Sequence, residues 1–195
     1  MKIEVFPVAG QELIDYSSIP IRFEVRTKLD IKIIDNGLRV ISFSEQRVTP
    51  PYIKDYDQIK GEGPTRWPKR FNVTNWSLFI TRAGELPVGG AIVAFRTPNL
   101  DILDGREDLS ALWDLRIRPE YRRSGVGTEL FKEVIRWSAD NGCKQLKVET
   151  QNVNIPACKF YIKQGCKLGE FHRYKYVDNP MTANEVMLVW YLNLQ

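Results

Sequence analysis

The sequence predicts an α+β fold, with a central mixed, mostly antiparallel sheet flanked by helices. Three observations predict it. Segments that alternate β-branched and polar residues recur along the chain, most clearly at 21–34 and 38–48. An amphipathic stretch from Thr128 to about Asn141 puts Leu130, Phe131, Val134, Ile135 and Ser138 on one helical face, between the alternating segments 111–118 and 144–149. The chain has 195 residues, 43% of them hydrophobic, which suits one domain with a real core. A single domain over 1–195 is expected, with residues 1–48 as a strand and hairpin region and 49–194 as the binding core.

The elements follow in order. Residues 2–8 read as a first strand. Asn36-Gly37 joins 21–34 to 38–48 as a hairpin turn with positive φ. The stretch 49–70 holds Pro50, Pro51, Pro64 and Pro68 with Gly61 and Gly63, so it is expected to be irregular throughout. Its Tyr52, Tyr56, Trp67, Asp55 and Asp57 either line a pocket for a cation or pin the loop to the core. Strands at 76–81 and 88–95 meet through Gly84-Glu85, and Gly89-Gly90 mark a bulge. An acidic loop, 97–110, carries Asp101, Asp104, Glu107 and Asp108. Gly142 caps the long helix, and a short helix opens at Pro156 and closes at Gly165. Strands at 167–176 and 185–194 complete the chain.

Composition narrows the function. The net charge is +4, from 28 basic and 24 acidic residues that are interspersed, so no nucleic-acid stripe is indicated. His172 is the sole histidine, which excludes a multi-histidine metal site, and no metal is expected. Three cysteines, Cys143, Cys158 and Cys166, form no C-x-x-C pair and fit a reduced, cytoplasmic setting. No segment approaches the length of a membrane span.

The stretch LWDLRIRPEYRRSGVG, residues 112–127, concentrates the chemistry. Pro119 stops the strand because it has no N–H for a ladder. Gly125 and Gly127 let the backbone bend and approach a ligand. The helix behind them offers free N–H groups and the positive end of its dipole, and Arg122 and Arg123 add charge, as a diphosphate cradle would. Leu130 occupies the place of the third glycine in a dinucleotide fingerprint, and no Gly-Lys-Ser/Thr is present. A plain strand–turn–helix with incidental arginines is the alternative.

The pattern Arg122-x-x-Gly125-x-Gly127 resembles the coenzyme A pyrophosphate motif of the GNAT N-acetyltransferases. A second pattern, Asn154-x-x-Ala157-x-x-Phe160-Tyr161-x-x-x-Gly165, resembles that family's other hallmark and lies one strand and one helix further on. The segment Glu149-Thr150-Gln151, Pro51-Tyr52 with Tyr56, Asp114, and the ending Thr182-Ala183-Asn184-Glu185…Trp190-Tyr191 are similar to streptothricin acetyltransferases in particular. Trp113 departs from relatives that carry Glu before the strand's Asp, and the basic run 171–175 sits oddly beside a cationic substrate.

The resemblance implies a GNAT-like sheet whose fourth and fifth core strands splay apart to admit the pantetheine arm of acetyl-CoA. On it, Leu115, Ile117, Arg122, Arg123, Ser124, Gly125, Val126, Gly127, Thr128, Asn154, Ala157 and Tyr161 bind the coenzyme, and the Ile117 N–H stabilises the oxyanion. Tyr52, Tyr56, Trp113, Asp114 and Glu149 meet the acceptor, a small-molecule amine of streptothricin type. Freeing a lysine-type amine of its proton at neutral pH costs roughly 4.6 kcal/mol. Asp114 and Glu149 are the candidate bases; the alternative for one of them is only to orient the amine or a water. Tyr161 hydrogen-bonds or protonates the leaving thiolate; a packed helix tyrosine is the alternative. A homodimer is allowed. Protein lysine or N-terminal acetylation and non-catalytic acyl-CoA sensing are the competing functions.

Overall fold

The computed structural model describes residues 2–194. In chain order they form β1 (Ile3–Pro7), α1 (Gly10–Ser17), β2 (Phe23–Ile34), β3 (Val40–Lys54), α2 (Trp67–Arg70), β4 (Ser77–Ala83), β5 (Leu86–Phe95), β6 (Leu109–Ile117), α3 (Val126–Asp140), β7 (Gln145–Gln151), α4 (Ile155–Lys163), β8 (Lys167–His172) and β9 (Met187–Asn193). Seven strands share one sheet in the order β1-β4-β5-β6-β7-β9-β8, and β2 pairs with β3 alone. The β6–β7 ladder is parallel, whereas β1–β4, β4–β5 and β5–β6 are antiparallel. This is a mixed, mostly antiparallel sheet flanked by helices.

The chain divides into two compact units. One holds the residues up to Arg22, Asp55–Val148 and those from Tyr191; the other holds Phe23–Lys54 and Glu149–Trp190.

In the first unit, Gly89 and Gly90 of β5 set the distance of the helices from the sheet. A Cβ on Gly90 would lie 2.6 Å from the Phe79 carbonyl and 2.7 Å from the Tyr16 ring of α1. A Cβ on Gly89 would lie 2.8 Å from Val126 of α3 and 2.8 Å from Ile117. Successive strand residues point to opposite faces, so α1 covers one face of the sheet and α3 the other. The α1 face is a core of Leu13, Tyr16, Leu78, Ile80, Ile92, Ala94 and Ala111. Helix α1 has little local signal, since Leu13 and Tyr16 are the buried residues among its eight. Helix α3 ends as expected: Gly142 has φ +79°, and the Cys143 N–H reaches back to the Ser138 carbonyl at 3.0 Å.

Two strand expectations are adjusted here. The bulge expected at Gly89-Gly90 lies at Val88, because the register passes from Thr81↔Gly89 to Arg82↔Pro87. A second bulge falls in β6. There Ile92↔Asp114 is followed by Val93↔Leu112, so Trp113 is the extra residue.

In the second unit, Asn36 (φ +53°) and Gly37 (φ +92°) form the hairpin tip between β2 and β3. The stretch expected to be irregular from residue 49 is in part strand, because β3 continues to Lys54. The register jumps from Val25↔Tyr52 to Thr27↔Arg47. Pro50 and Pro51 therefore sit in a bulge opposite Arg26, where no ladder N–H is needed. Asn152 ties this unit together: its amide donates to the Leu29 carbonyl at 2.9 Å and its side-chain oxygen accepts the Val186 N–H at 2.9 Å. The strand expected over 167–176 stops at His172, whose Nδ1 accepts the Tyr174 N–H at 3.1 Å and turns the chain.

Candidate active site

The residues expected to form a cradle, Leu115 to Thr128, lie in the first unit. Arg118 donates its N–H to the Val88 carbonyl at 2.9 Å. By strand alternation the Asp114 and Arg116 amides then face β5, while those of Leu115 and Ile117 face the opposite edge of β6. On that edge the parallel register runs from Leu109↔Gln145 to Leu112↔Val148, among the described residues. The Ile117 carbonyl accepts from Arg122 Nε at 3.0 Å, and Arg122 Nη2 donates to the Arg22 carbonyl at 2.9 Å. Arg122 thus braces the end of the strand. Burial lowers its pKa, and the nearby Glu120 opposes that shift.

Arg123 follows with φ +63° and is exposed, and Ser124 Oγ donates to the Tyr121 carbonyl at 2.6 Å. Gly125, φ +94°, is the N-cap of α3 and makes no side-chain cap. The Glu129 N–H to the Gly125 carbonyl, 3.1 Å, closes the first turn of the helix over Val126, Gly127 and Thr128. The positive end of a fifteen-residue helix therefore lies at a backbone bend where the N-cap residue brings no side chain.

Asp114 lies beside this strand edge in a buried ion network. Arg116 Nε donates to Asp114 Oδ2 at 2.6 Å, and its two terminal nitrogens reach Asp57 at 2.6 and 2.8 Å. The Arg116 side chain is 1% exposed and Asp57 31%. The guanidinium also stacks near Tyr16, 5.4 Å from the ring centre, and near Trp67, 5.9 Å. Burial raises the Asp114 pKa, and the Arg116 charge opposes the rise. The neighbouring carboxylates raise that of Arg116. Asp57 belongs to the helical turn Tyr56–Gln58, so the network also fixes Tyr56. Trp113 packs at 5.2 Å from both Phe71 and Trp76.

In the second unit, Asn154 caps α4: its Oδ1 accepts the Ala157 N–H at 3.3 Å. Two expected coenzyme ligands are thereby joined in one helix start. Tyr161 is 6% exposed, with its ring 5.1 Å from that of Phe160. Tyr52 sits on β3, 42% exposed, its pKa raised by burial and then by Glu185. Glu149 ends a chain of hydrogen bonds. Tyr176 donates its O–H to Glu149 Oε1 at 2.5 Å, and Gln151 Nε2 donates to the Tyr176 hydroxyl at 3.0 Å.

Sequence reasoning missed Arg116 and Tyr176. Arg116 had a signal, since Asp114 and Arg116 stand two apart on one strand face with opposite charge. Tyr176 had none, being 27 residues from Glu149. Among the described residues no group of three or more His, Cys, Asp or Glu is placed to hold a metal ion. No helix among them is long and apolar enough to cross a membrane.

A mixed, mostly antiparallel sheet with a parallel β6–β7 ladder, followed by a glycine-opened helix, has the architecture of an acetyltransferase. Residues 43–166 match the acetyltransferase (GNAT) family, and the chain belongs to that family. Streptothricin acetyltransferase A of Bacillus subtilis (strain 168) is 40% identical over 168 residues, covering 83% of each chain. Streptothricin acetyltransferase of Escherichia coli is 27% identical over 193 residues, 98% of this chain and 95% of that one. Among solved structures, nourseothricin acetyltransferase superposes with a TM-score of 0.77 at 18% identity over the full length of both. A Bacillus anthracis str. Ames protein described as a streptothricin acetyltransferase, solved in complex with acetyl coenzyme A, gives 0.73 at 24% identity, covering 98% of this chain and 99% of that one.

Proposed function

We propose that the whole chain works as one acetyltransferase domain that moves the acetyl group of acetyl-CoA to a primary amine of a small cationic molecule of streptothricin type. The observation that carries the donor assignment is that the Leu115 and Ile117 amides face the edge of β6 away from β5, on the strand that leads through the turn Pro119–Tyr121 to the glycine-capped start of α3. The 40% identity to a streptothricin acetyltransferase supports the acceptor.

The residues fit the coenzyme. The start of α3 at Val126, Gly127 and Thr128, with Arg123 and Ser124, suits a pyrophosphate, because an αL glycine at the N-cap brings no side chain of its own to the positive end of the helix. Leu115 and Ile117 offer amides to a pantetheine arm as an added strand would. The Ile117 N–H polarises the thioester carbonyl. Asn154 and Ala157 start the helix that carries Tyr161, the proposed hydrogen-bond donor to the leaving thiolate. When bound, acetyl-CoA supplies the activated acetyl group.

The amine must shed its proton at a cost of roughly 4.6 kcal/mol. Glu149 receives or orients it, held by Tyr176. Asp114 is the alternative carboxylate for that role, its pKa raised by burial. Tyr52 and Tyr56 supply aromatic faces to a cation, and Trp113 lies beside Asp114 on the β6 bulge. The reaction belongs to the cytoplasm on this reading, which the three free, buried cysteines support.

The test is incubation of the full chain with acetyl-CoA and streptothricin, read by mass spectrometry of the acceptor. The expected product carries one acetyl group on the β-lysine amine, with equimolar coenzyme thiol released. Coenzyme binding without transfer to streptothricin, a polyamine or an aminoglycoside would overturn the enzyme reading. Transfer to peptide amines alone would overturn the acceptor.

A further inference from the structure

We propose that Tyr176 is a positioning residue for Glu149, delivered to it by the segment 173–186. The proposal rests on the assignment of Glu149 to the acceptor amine.

The segment is mostly exposed, but Tyr176 turns inward. Its backbone is fixed without help from Glu149. Asn179 donates its N–H to the Tyr176 carbonyl at 3.0 Å, and Asn179 Oδ1 accepts the Met181 N–H at 3.0 Å. Further on, Glu185 forms a buried ion pair with Lys54, whose Nζ also donates to the Met181 carbonyl at 2.7 Å. Tyr176 is therefore a donor on a braced turn.

The direction of the hydrogen bonds matters. Gln151 donates to the Tyr176 oxygen and Tyr176 donates to Glu149 Oε1, so each bond polarises the next. Gln151 Nε2 also approaches Glu149 Oε1 at 3.5 Å. Burial and the charges of Glu149 and then Glu185 hold the Tyr176 pKa far above its ordinary value, so it remains a donor throughout the working range. A donor to a carboxylate favours the ionised form and removes rotamer freedom from a long side chain. Both effects keep Glu149 ready for a cationic amine.

The experiment compares Tyr176→Phe, Glu149→Gln and the double variant in the full chain, with streptothricin as acceptor. Tyr176→Phe is expected to lower kcat about 10-fold. The pH below which kcat falls should move upward, because the lost donor had favoured the carboxylate. KM for acetyl-CoA should be unchanged. In the Glu149→Gln background the same substitution should cost nothing further, since the two residues act through one bond. Gln151→Met should move kcat and its pH profile in the same direction by a smaller factor, and it serves if Tyr176→Phe does not fold.

A slow Glu149→Gln beside a Tyr176→Phe or Gln151→Met enzyme of wild-type rate and pH profile would overturn this proposal alone. So would losses that multiply in the double variant. A fully active Glu149→Gln would overturn the assignment of Glu149, and this proposal with it.

Discussion

Arg116 is a cation at 1% side-chain exposure, and it is tolerable there because Asp114 and Asp57 bracket it. Arg116→Met would leave two carboxylates facing each other without their counter-charge. Breaking a buried pair in this way costs about 3–5 kcal/mol. Urea denaturation should report a loss of that size, and a loss below about 1 kcal/mol would show the network to be incidental. Asp114→Asn keeps the shape and removes one charge. It should slow turnover about 10-fold with acetyl-CoA affinity near normal, measured by steady-state kinetics, and an unchanged rate would remove Asp114 from the reaction. Cys166 makes a separate case. Burial pushes its thiol from 9.0 to about 11. A raised folded value means that the protonated thiol favours the native state, fully below the unfolded pKa and decreasingly as pH climbs through the folded one. Wild type should therefore lose stability relative to Cys166→Ala as pH rises from 9 to about 11. Parallel stability curves across that window would refute the burial account.

At the scale of elements, two adjacent glycines make a discriminating pair. A methyl at Gly90 meets the Phe79 carbonyl at 2.6 Å, an atom of the neighbouring strand that cannot swing aside. Gly90→Ala should cost about 1–3 kcal/mol by overpacking. A methyl at Gly89 meets the ends of the Ile117 and Leu130 side chains and a Val126 methyl, at 2.8, 3.2 and 2.8 Å. Those can give way by moving the start of α3, so Gly89→Ala should keep more stability than Gly90→Ala and lose more coenzyme affinity. Calorimetric titration with coenzyme A beside thermal melting separates the two, and equal losses in both variants would refute the distinction. These elements also show what the sequence makes legible. The hairpin at Asn36-Gly37 and the cap at Gly142 depend on a few adjacent residues with positive φ, and both stand where local chemistry puts them. The passage of β3 through Pro50 and Pro51 depends on the bulge opposite Arg26, which is a property of the pairing and not of the prolines. The bend and helix start from Arg122 to Thr128 are built from adjacent residues and are readable locally. The bonds from Arg116 to Asp57 and from Tyr176 to Glu149 join residues 59 and 27 positions apart, and no spacing rule connects them.

Across the whole molecule, the net charge of +4 is too small to gather polyanions indiscriminately, so coenzyme affinity has to come from one place. The bend at Gly125 is the candidate, and it makes a prediction that needs no turnover. A ligand that binds only the native state stabilises it by about 2.7 kcal/mol at a hundredfold excess over its Kd. For a chain of 195 residues that corresponds to a rise in Tm of roughly 5–10 °C. Acetyl-CoA should give such a rise, and adenosine alone, which lacks the pyrophosphate, a much smaller one. Gly125→Val tests the origin of the effect. Open space surrounds the position where its Cβ would go, so the substitution adds no clash there; its penalty comes from forcing a β-branched residue to φ +94°. The backbone must relax, the first-turn N–H groups turn away, and the thermal shift with acetyl-CoA should largely disappear while the variant still melts cooperatively. A full shift in Gly125→Val, or none in wild type at saturating acetyl-CoA, would mean that the helix start after β6 does not hold the coenzyme.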